Sequence, residues 1–345
     1  MTDIIQPPLW DDRVIWDVWL SAMWMPTLAA ADEVRLFEAL EPQPATAEEL
    51  AEHHGFNLHA LRGVLPMLTA LKLLSVWQGR YQLTEPARLY LLHDSPLYWG
   101  HAFSLHRGNP NTQRFVAALK ARPTDAASTF GVGERPSDAW EAGQITEEMA
   151  RPITAFMHSH SLPAALGVAR AGDFGGVTRL LDVGGGSGCF SIALAQRHPQ
   201  MRCTVMELPA VGALAREYAA KAGVADRVDA VSVDMFRQAW PKGYDAIFMS
   251  NIVHDWDLET NARLFRSSFA ALPSGGRIYL HEMLISDDGS GSLASAAYSM
   301  LMLAGTQGRQ YGAAELSTLL QDAGFSNVQI QDTYGHFSLV RAEKR

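Results

Sequence analysis

In the second half of the chain, successive apolar runs each close on a group able to do polar chemistry: Asp182, Glu207, Asp234, the stretch Ser250 to His254, and Glu282. A carboxylate such as Asp182 accepts hydrogen bonds from loop amides or from an ammonium group, and Glu207 is suited to grip two ribose hydroxyls. Asp234 is followed by Met235 and Phe236. That places an acceptor for an amino group beside a thioether and a ring that can cover the face of a base. His254, in the run Met249-Ser-Asn-Ile-Val-His-Asp-Trp256, is the residue able to take a proton near neutral pH.

Between Asp182 and Glu207 lies a glycine turn, Gly184-Gly185-Gly186-Ser187-Gly188. Glycine is needed where the chain turns sharply and a ligand approaches the backbone closely. The spacing is G-x-G-x-G, and Cys189 stands where a dinucleotide fingerprint would have its last glycine, so a pyrophosphate ligand is disfavoured. A loop that prefers an ammonium-bearing group to a phosphate, with an acid closing each of two successive strands, points to S-adenosylmethionine (SAM).

The elements that must position these groups are strands and helices in alternation. Candidate strands lie at 179–184, 202–207, 228–233, 244–250, 277–283, 327–333 and 336–343, and the last two, joined at Gly335, read as an antiparallel pair. The expected fold is a doubly wound, Rossmann-like α/β sheet over 171–345, with ligands at the carboxyl ends of the strands.

Residues 1–110 read instead as a helical domain. Leu61, Leu65, Leu68 and Leu71 recur at helical spacing, Thr46 with Glu48 and Glu49 marks a helix start, and residues 74–83 alternate around Gly79 as a hairpin. Helices followed by such a hairpin form a winged-helix-like pattern, expected here to serve dimerisation. Trp16, Leu20 and Trp24 share a helical face, read as a subunit interface. Residues 111–170 are expected to connect the domains and line a substrate pocket. They include the turn-rich stretch with Pro123-Thr-Asp125 and Gly131-Val-Gly133, then a helix from about Glu147 to Arg170.

Bulk properties narrow the partners. Lys and Arg number 28 against 37 Asp and Glu, a formal charge of −9 that argues against a nucleic-acid backbone and for a small molecule. The only cysteines are Cys189 and Cys203, too few for a disulfide framework or a zinc cluster and natural in a reducing cytoplasm. No signal peptide is legible, and the apolar stretch from Ile15 to Ala31 contains Asp17 and Pro26 and is short for a span, so no membrane partner is expected.

The motifs LDVGGGSG, a strand ending in an acid followed by Leu208-Pro209, DMF, IVHDW, HEMLISDD and GRQYGAAELSTLLQDAGF occur in this order along the chain. With the winged-helix-like region, the combination resembles the SAM-dependent small-molecule O-methyltransferases, a family spanning plant caffeate and flavonoid enzymes and bacterial natural-product tailoring enzymes. The resemblance implies a cytoplasmic homodimer that methylates a phenolic hydroxyl of an aromatic secondary metabolite, with S-adenosylhomocysteine (SAH) as product and no metal. It implies that Asp182, Gly184 and Gly186 line the methionine part of the cofactor, Glu207 and Leu208 the ribose side, and Asp234, Met235, Phe236, Ser250 and Trp256 the adenine side. His254 matches the general base and Glu282 the acid that steadies it, with Gln310 beside them. Met157, His158, Asn251 and Met302 fall to the substrate pocket.

Two departures stand out. Many O-methylating members have an acid where this chain has Gln310; an amide can orient an imidazole but cannot stabilise an imidazolium by charge. Ser250 replaces a lysine that plant members often carry near the adenine. The rival readings are N- or C-methylation, a SAM-assisted hydroxylation or decarboxylation on the same fold, and a winged-helix transcription regulator. The last is weak because residues 58–74 offer only Arg62 and Lys72 as basic groups. Asp255, Asp257 and Asn261 could suggest a magnesium site, but Asp257 is more simply a helix N-cap. His158 and His160 read as helix-surface residues.

Overall fold

A computed structural model describes residues 8–121, 140 and 142–345. The expected turns at Pro123–Asp125 and Gly131–Gly133 lie outside the described residues. The chain divides into two units. Described residues within Met1–Arg13, Asp138–Leu284 and Ala313–Arg345 form one; those within Val14–Ser137 and Ile285–Gly312 form the other. This differs from the expected division: Ile285–Gly312, anticipated in the sheet domain, groups with the N-terminal helices, the described residues up to Arg13 group with the sheet, and the expected connector 111–170 is split between the two units.

The first unit is built on a sheet whose strands are β3 (Arg179–Val183), β4 (Arg202–Glu207), β5 (Val228–Ser232), β6 (Ala246–Ser250), β7 (Arg277–Glu282), β8 (Ser326–Tyr334) and β9 (Phe337–Glu343), in the order β5-β4-β3-β6-β7-β9-β8. Neighbours from β5 to β7 are parallel, and β9 runs antiparallel to both β7 and β8. The strands form where the apolar runs predicted them. Leu180, Leu181, Val183, Ile247, Phe248, Ile278 and Leu280 are all buried, as central strands covered on both faces require. Strand order reverses between β4 and β6 on either side of β3, and a doubly wound sheet opens its ligand crevice at that reversal.

Helices Cys189–Arg197, Pro209–Lys221 and Leu258–Ala271 carry the crossovers, and Glu147–Ala171 precedes the sheet. The last begins at the Thr146 cap, whose hydroxyl accepts from the Met149 amide, and ends one residue past the expected Arg170.

The second unit holds the helix–helix–hairpin arrangement. Ala47–His54 starts at a reciprocal capping box between Thr46 and Glu49, and Leu58–Ala70 leads to the hairpin of β1 (Leu74–Trp77) and β2 (Arg80–Leu83). Its two turn residues, Gln78 and Gly79, both have positive φ, the geometry that lets a two-residue loop follow the strand twist. Leu293–Gly305 packs on Leu58–Ala70, where Gly63 faces Leu303 and Met300.

The tryptophan stripe is corrected by this unit. Trp16 and Leu20 are buried within the chain, and the Trp16 ring lies 5.3 Å from Tyr298. Val14, Ile15, Val18 and, to a lesser degree, Trp19 are left exposed on that first helix. Among the described residues, Arg13–Glu33 is long and apolar enough to cross a membrane by length and composition, and part of it is buried inside the unit.

Candidate active site

The glycine turn is shaped for a close ligand. Gly184, Gly186 and Gly188 have φ of +65°, +56° and +72°, a region that side chains with a Cβ enter only at a cost. A Cβ on Gly184 would sit 2.5 Å from Ile252 Cδ1, and one on Gly185 would strike the Asp182 carboxyl, whereas Gly186 faces open space. The middle of the turn is therefore the part a ligand can approach.

Two acids stand beside it. Asp182 is buried; Ser191 donates to its Oδ2 at 2.7 Å, while Oδ1 is buried without a hydrogen-bond partner. Burial pushes its carboxyl up to about 6 against the opposing Ser191 bonds. Glu207 accepts from the Gly186 amide at 3.1 Å and the Leu208 amide at 2.8 Å, so each carboxylate oxygen is oriented by backbone and retains further accepting capacity. Burial raises it to about 7, more than those two bonds lower it, and Asp182 adds to the rise. Buried carboxylates with spare lone pairs around an open glycine suit a ligand bearing an ammonium group and ribose hydroxyls, which is the donor set of SAM.

Asp234 is partly committed elsewhere: Oδ1 accepts from the Phe236 amide at 2.9 Å and Oδ2 from Arg237 Nη1 at 2.7 Å. Burial opposes its ionisation, but the Arg237 ion pair and the amide bonds win and hold its carboxyl below the usual range. The Met235 carbonyl accepts from the Trp240 indole, and Phe236 meets Trp256 edge-on at 4.7 Å. These contacts build a fixed apolar wall after β5.

His254 lies in a short 3-10 turn, Val253–Asp255, and is 3 % exposed. Its Nδ1 is 3.0 Å from Glu282 Oε2. The other oxygen of Glu282 accepts from the Ile252 amide at 3.1 Å and the Val253 amide at 2.9 Å, so the carboxylate that ties down the loop also stands against the ring. Asn261 donates to the Val253 and Trp256 carbonyls and pins the loop from below, while Asp257 caps the following helix through the Thr260 amide, as the N-cap reading expects. With a carboxylate at Nδ1, the ring carries its proton there and presents a lone pair at Nε2. Asp255 Oδ1 lies 3.7 Å from Nε2; burial raises that carboxyl to about 6, tempered by His254 and reinforced by Glu282. Asn251, next to Ser250, has φ +54° and a buried Oδ1 without a hydrogen-bond partner. A non-glycine residue in that region is uncommon and accompanies sites the surroundings over-determine.

The remaining expected residues divide. Met157 is exposed, with its sulfur 3.4 Å from His160 Nε2. His158, expected at the substrate, reaches the glycine turn instead: its Nδ1 is 2.8 Å from Ser187 Oγ and its ring stacks on Tyr218 at 4.3 Å. Met302 and Gln310 belong to the second unit, where Gln310 is buried and its backbone N–H donates to Ser299 Oγ.

Reading the sequence missed His160, Ser187, Tyr218 and His281. His160 is partly buried; burial, then the nearby His254, lowers it to about 4. His281 is wholly buried, and burial lowers it to about 3. Its place immediately before Glu282 was the available signal.

Residues 16–93 match the O-methyltransferase dimerisation domain, and residues 116–326 the O-methyltransferase domain. The 3-hydroxy-5-methyl-1-naphthoate 3-O-methyltransferase of Streptomyces sahachiroi is 37 % identical over 317 residues, covering 88 % of this chain and 86 % of that protein. An O-methyltransferase family 2 protein from Planctomyces limnophilus, solved in complex with apigenin, superimposes with a TM-score of 0.86 at 29 % identity over 99 % of each chain. PigF of a Serratia species, a SAM-dependent methyltransferase solved with SAH, gives 0.58 at 26 % identity over 97 % of this chain and 100 % of that one.

Proposed function

The chain belongs to the SAM-dependent O-methyltransferase family, and from that premise we propose that it methylates a phenolic hydroxyl of an aromatic natural product, with His254 as general base. The observation that carries the base assignment is the 3.0 Å approach of the buried Glu282 carboxylate to His254 Nδ1, which directs the ring's proton to Nδ1 and makes Nε2 the proton acceptor. The naphthoate acceptor of the Streptomyces relative and the apigenin bound to the Planctomyces protein support the aromatic class.

When bound, SAM supplies an electrophilic methyl group. Asp182, the turn at Gly184 and Gly186, Glu207 and Leu208 hold it, with Asp234, Met235, Phe236, Ser250 and Trp256 completing its surroundings. A phenol of pKa about 10 is only about a thousandth ionised at neutral pH, so the base has work to do. His254 takes the hydroxyl proton onto Nε2, readying the oxygen for the methyl group that SAM would supply by loss from its sulfonium, with SAH as the leaving group. Glu282 keeps the ring aligned and balances the charge that forms on it. Met157 and Asn251 remain candidates for orienting the acceptor.

The protein acts in the cytoplasm as a homodimer formed through its dimerisation domain, within which Val18 and Trp19 on the first helix are exposed apolar residues. Neither a nucleic acid nor a membrane takes part. The domains are 1–110 for dimerisation, 111–170 as connector and pocket, and 171–345 for catalysis, with Ile285–Gly312 lent to the first.

The test is incubation with SAM and a panel of di- and polyhydroxylated aromatics, reading products by mass and by carbon-13 shift of the transferred methyl. An O-methyl resonance is expected. A gain of oxygen, loss of carbon dioxide, or methyl on carbon or nitrogen alone would overturn the reading.

A further inference from the structure

Consecutive residues at the end of β7 point to different neighbours. Glu282 addresses the His254 loop, while His281 addresses Ser250, its register partner on β6. Ser250 Oγ is 2.9 Å from His281 Nδ1, His281 Nε2 is 3.2 Å from Thr333 Oγ1, and Thr333 donates to the Phe337 carbonyl at 3.1 Å. The ring lies flat on Phe337 at 5.0 Å and is bordered by Phe190 and Phe248. Thr333 falls at the irregularity between Asp332 and Tyr334 on β8, where the extra residue of a bulge re-aims a side chain.

The direction of every proton in this chain follows. A carbonyl only accepts, so the Thr333 hydroxyl hydrogen goes to Phe337, and Thr333 must accept from an N–H at Nε2. Burial among aromatic rings keeps the imidazole neutral, so Nδ1 carries a lone pair and Ser250 donates to it. The proton of Ser250 is thus spent inward, and what its oxygen retains is accepting capacity alone. Along the sheet, the acids that follow β4 and β5 stand on one side of β3 and Ser250 on the other. A cofactor with its nucleoside over β4 and β5 brings its amino-acid end toward β6.

We propose that His281 is a positioning residue that fixes Ser250 as an acceptor-only group for the α-ammonium of the cofactor. This replaces the adenine contact implied for Ser250 by resemblance, and it rests on the reading that SAM binds this site. A strand end set this way rewards a donor and penalises a cofactor analogue that lacks one.

The experiment titrates SAH, its analogue lacking the α-amino group, and its analogue with hypoxanthine for adenine into wild-type protein, Ser250→Ala and Thr333→Val. Imidazole nitrogen-15 spectra read the His281 tautomer alongside. Wild type should show His281 protonated at Nε2. Ser250→Ala should shrink the preference for SAH over the desamino analogue by about tenfold, the scale of a hydrogen bond to a charged group, and leave the hypoxanthine ratio unchanged. Thr333→Val removes the acceptor at Nε2, so it should populate the other tautomer and weaken the same preference. An unchanged desamino preference in Ser250→Ala, a change confined to the hypoxanthine ratio, or a wild-type His281 protonated at Nδ1 would overturn the proposal. Wild-type protein binding none of the ligands would instead overturn the cofactor reading beneath it.

Discussion

Glu207 makes cofactor affinity a function of pH. Its carboxyl is buried and raised to about 7, so the free protein carries it mostly protonated in mild acid. Ribose hydroxyls are donors and are best served by the ionised form. If binding draws on that form, the apparent Kd is the intrinsic value divided by the ionised fraction. That fraction is about one-eleventh at about pH 6 and about ten-elevenths at about pH 8, so SAH should bind about tenfold tighter at the higher pH. Asp182, raised to about 6, adds at most about twofold over the same interval. Calorimetric titration in buffers of different ionisation enthalpy should record release of about 0.9 proton on binding at about pH 6 from Glu207, rising to about 1.4 where Asp182 also ionises. Glu207→Gln should bind more weakly and lose most of the slope. A flat profile in wild-type protein, or affinity that improves on acidification, would refute this reasoning.

The same shift governs stability. A folded-state value above the unfolded one means the folded free protein holds a proton that the unfolded chain releases, so stability declines as pH rises from about 4.5 through about 7, by about 3 kcal/mol for Glu207, read as a falling Tm. Gly184→Ala should cost about 1–3 kcal/mol and weaken SAH binding, since the residue has φ +65° and its Cβ would press on Ile252; unchanged affinity in calorimetry would count against the shape assigned to the turn. Gly167→Ala drives a methyl into Tyr334 across the packing of helix Glu147–Ala171 on β8, and should lower the Tm by several degrees, through about 1–3 kcal/mol of overpacking, with little effect on SAH binding.

How far the sequence reached differs by level. The central strands β3, β4, β6 and β7 were legible because each is a short, mostly apolar run, the polar β8 because it pairs with β9 across the Gly335 turn, and the cofactor acids because they stand at strand ends. Periodicity identified the buried face of Trp16 and Leu20 but carried no information on what covers it; Tyr298, far along the chain, does. For the same reason Ile285–Gly312 gave no sign of joining the N-terminal unit, since apolar helices look alike wherever they pack. His158 and His160 sit two residues apart on one helix, yet one reaches the glycine turn and the other the surroundings of His254, a distinction set by neighbours from other elements. His281 was hidden because its partners, Ser250 and Thr333, come from different strands.

The central claim is that His254 removes the acceptor proton. It is tested by rates of wild type and His254→Ala on a series of phenols from weakly acidic to nitro-substituted. The account predicts that the variant loses about 10²- to 10⁴-fold on phenols of ordinary pKa and recovers toward wild type on those already ionised at the assay pH. Equal rates for both proteins on the weakly acidic phenols would contradict it.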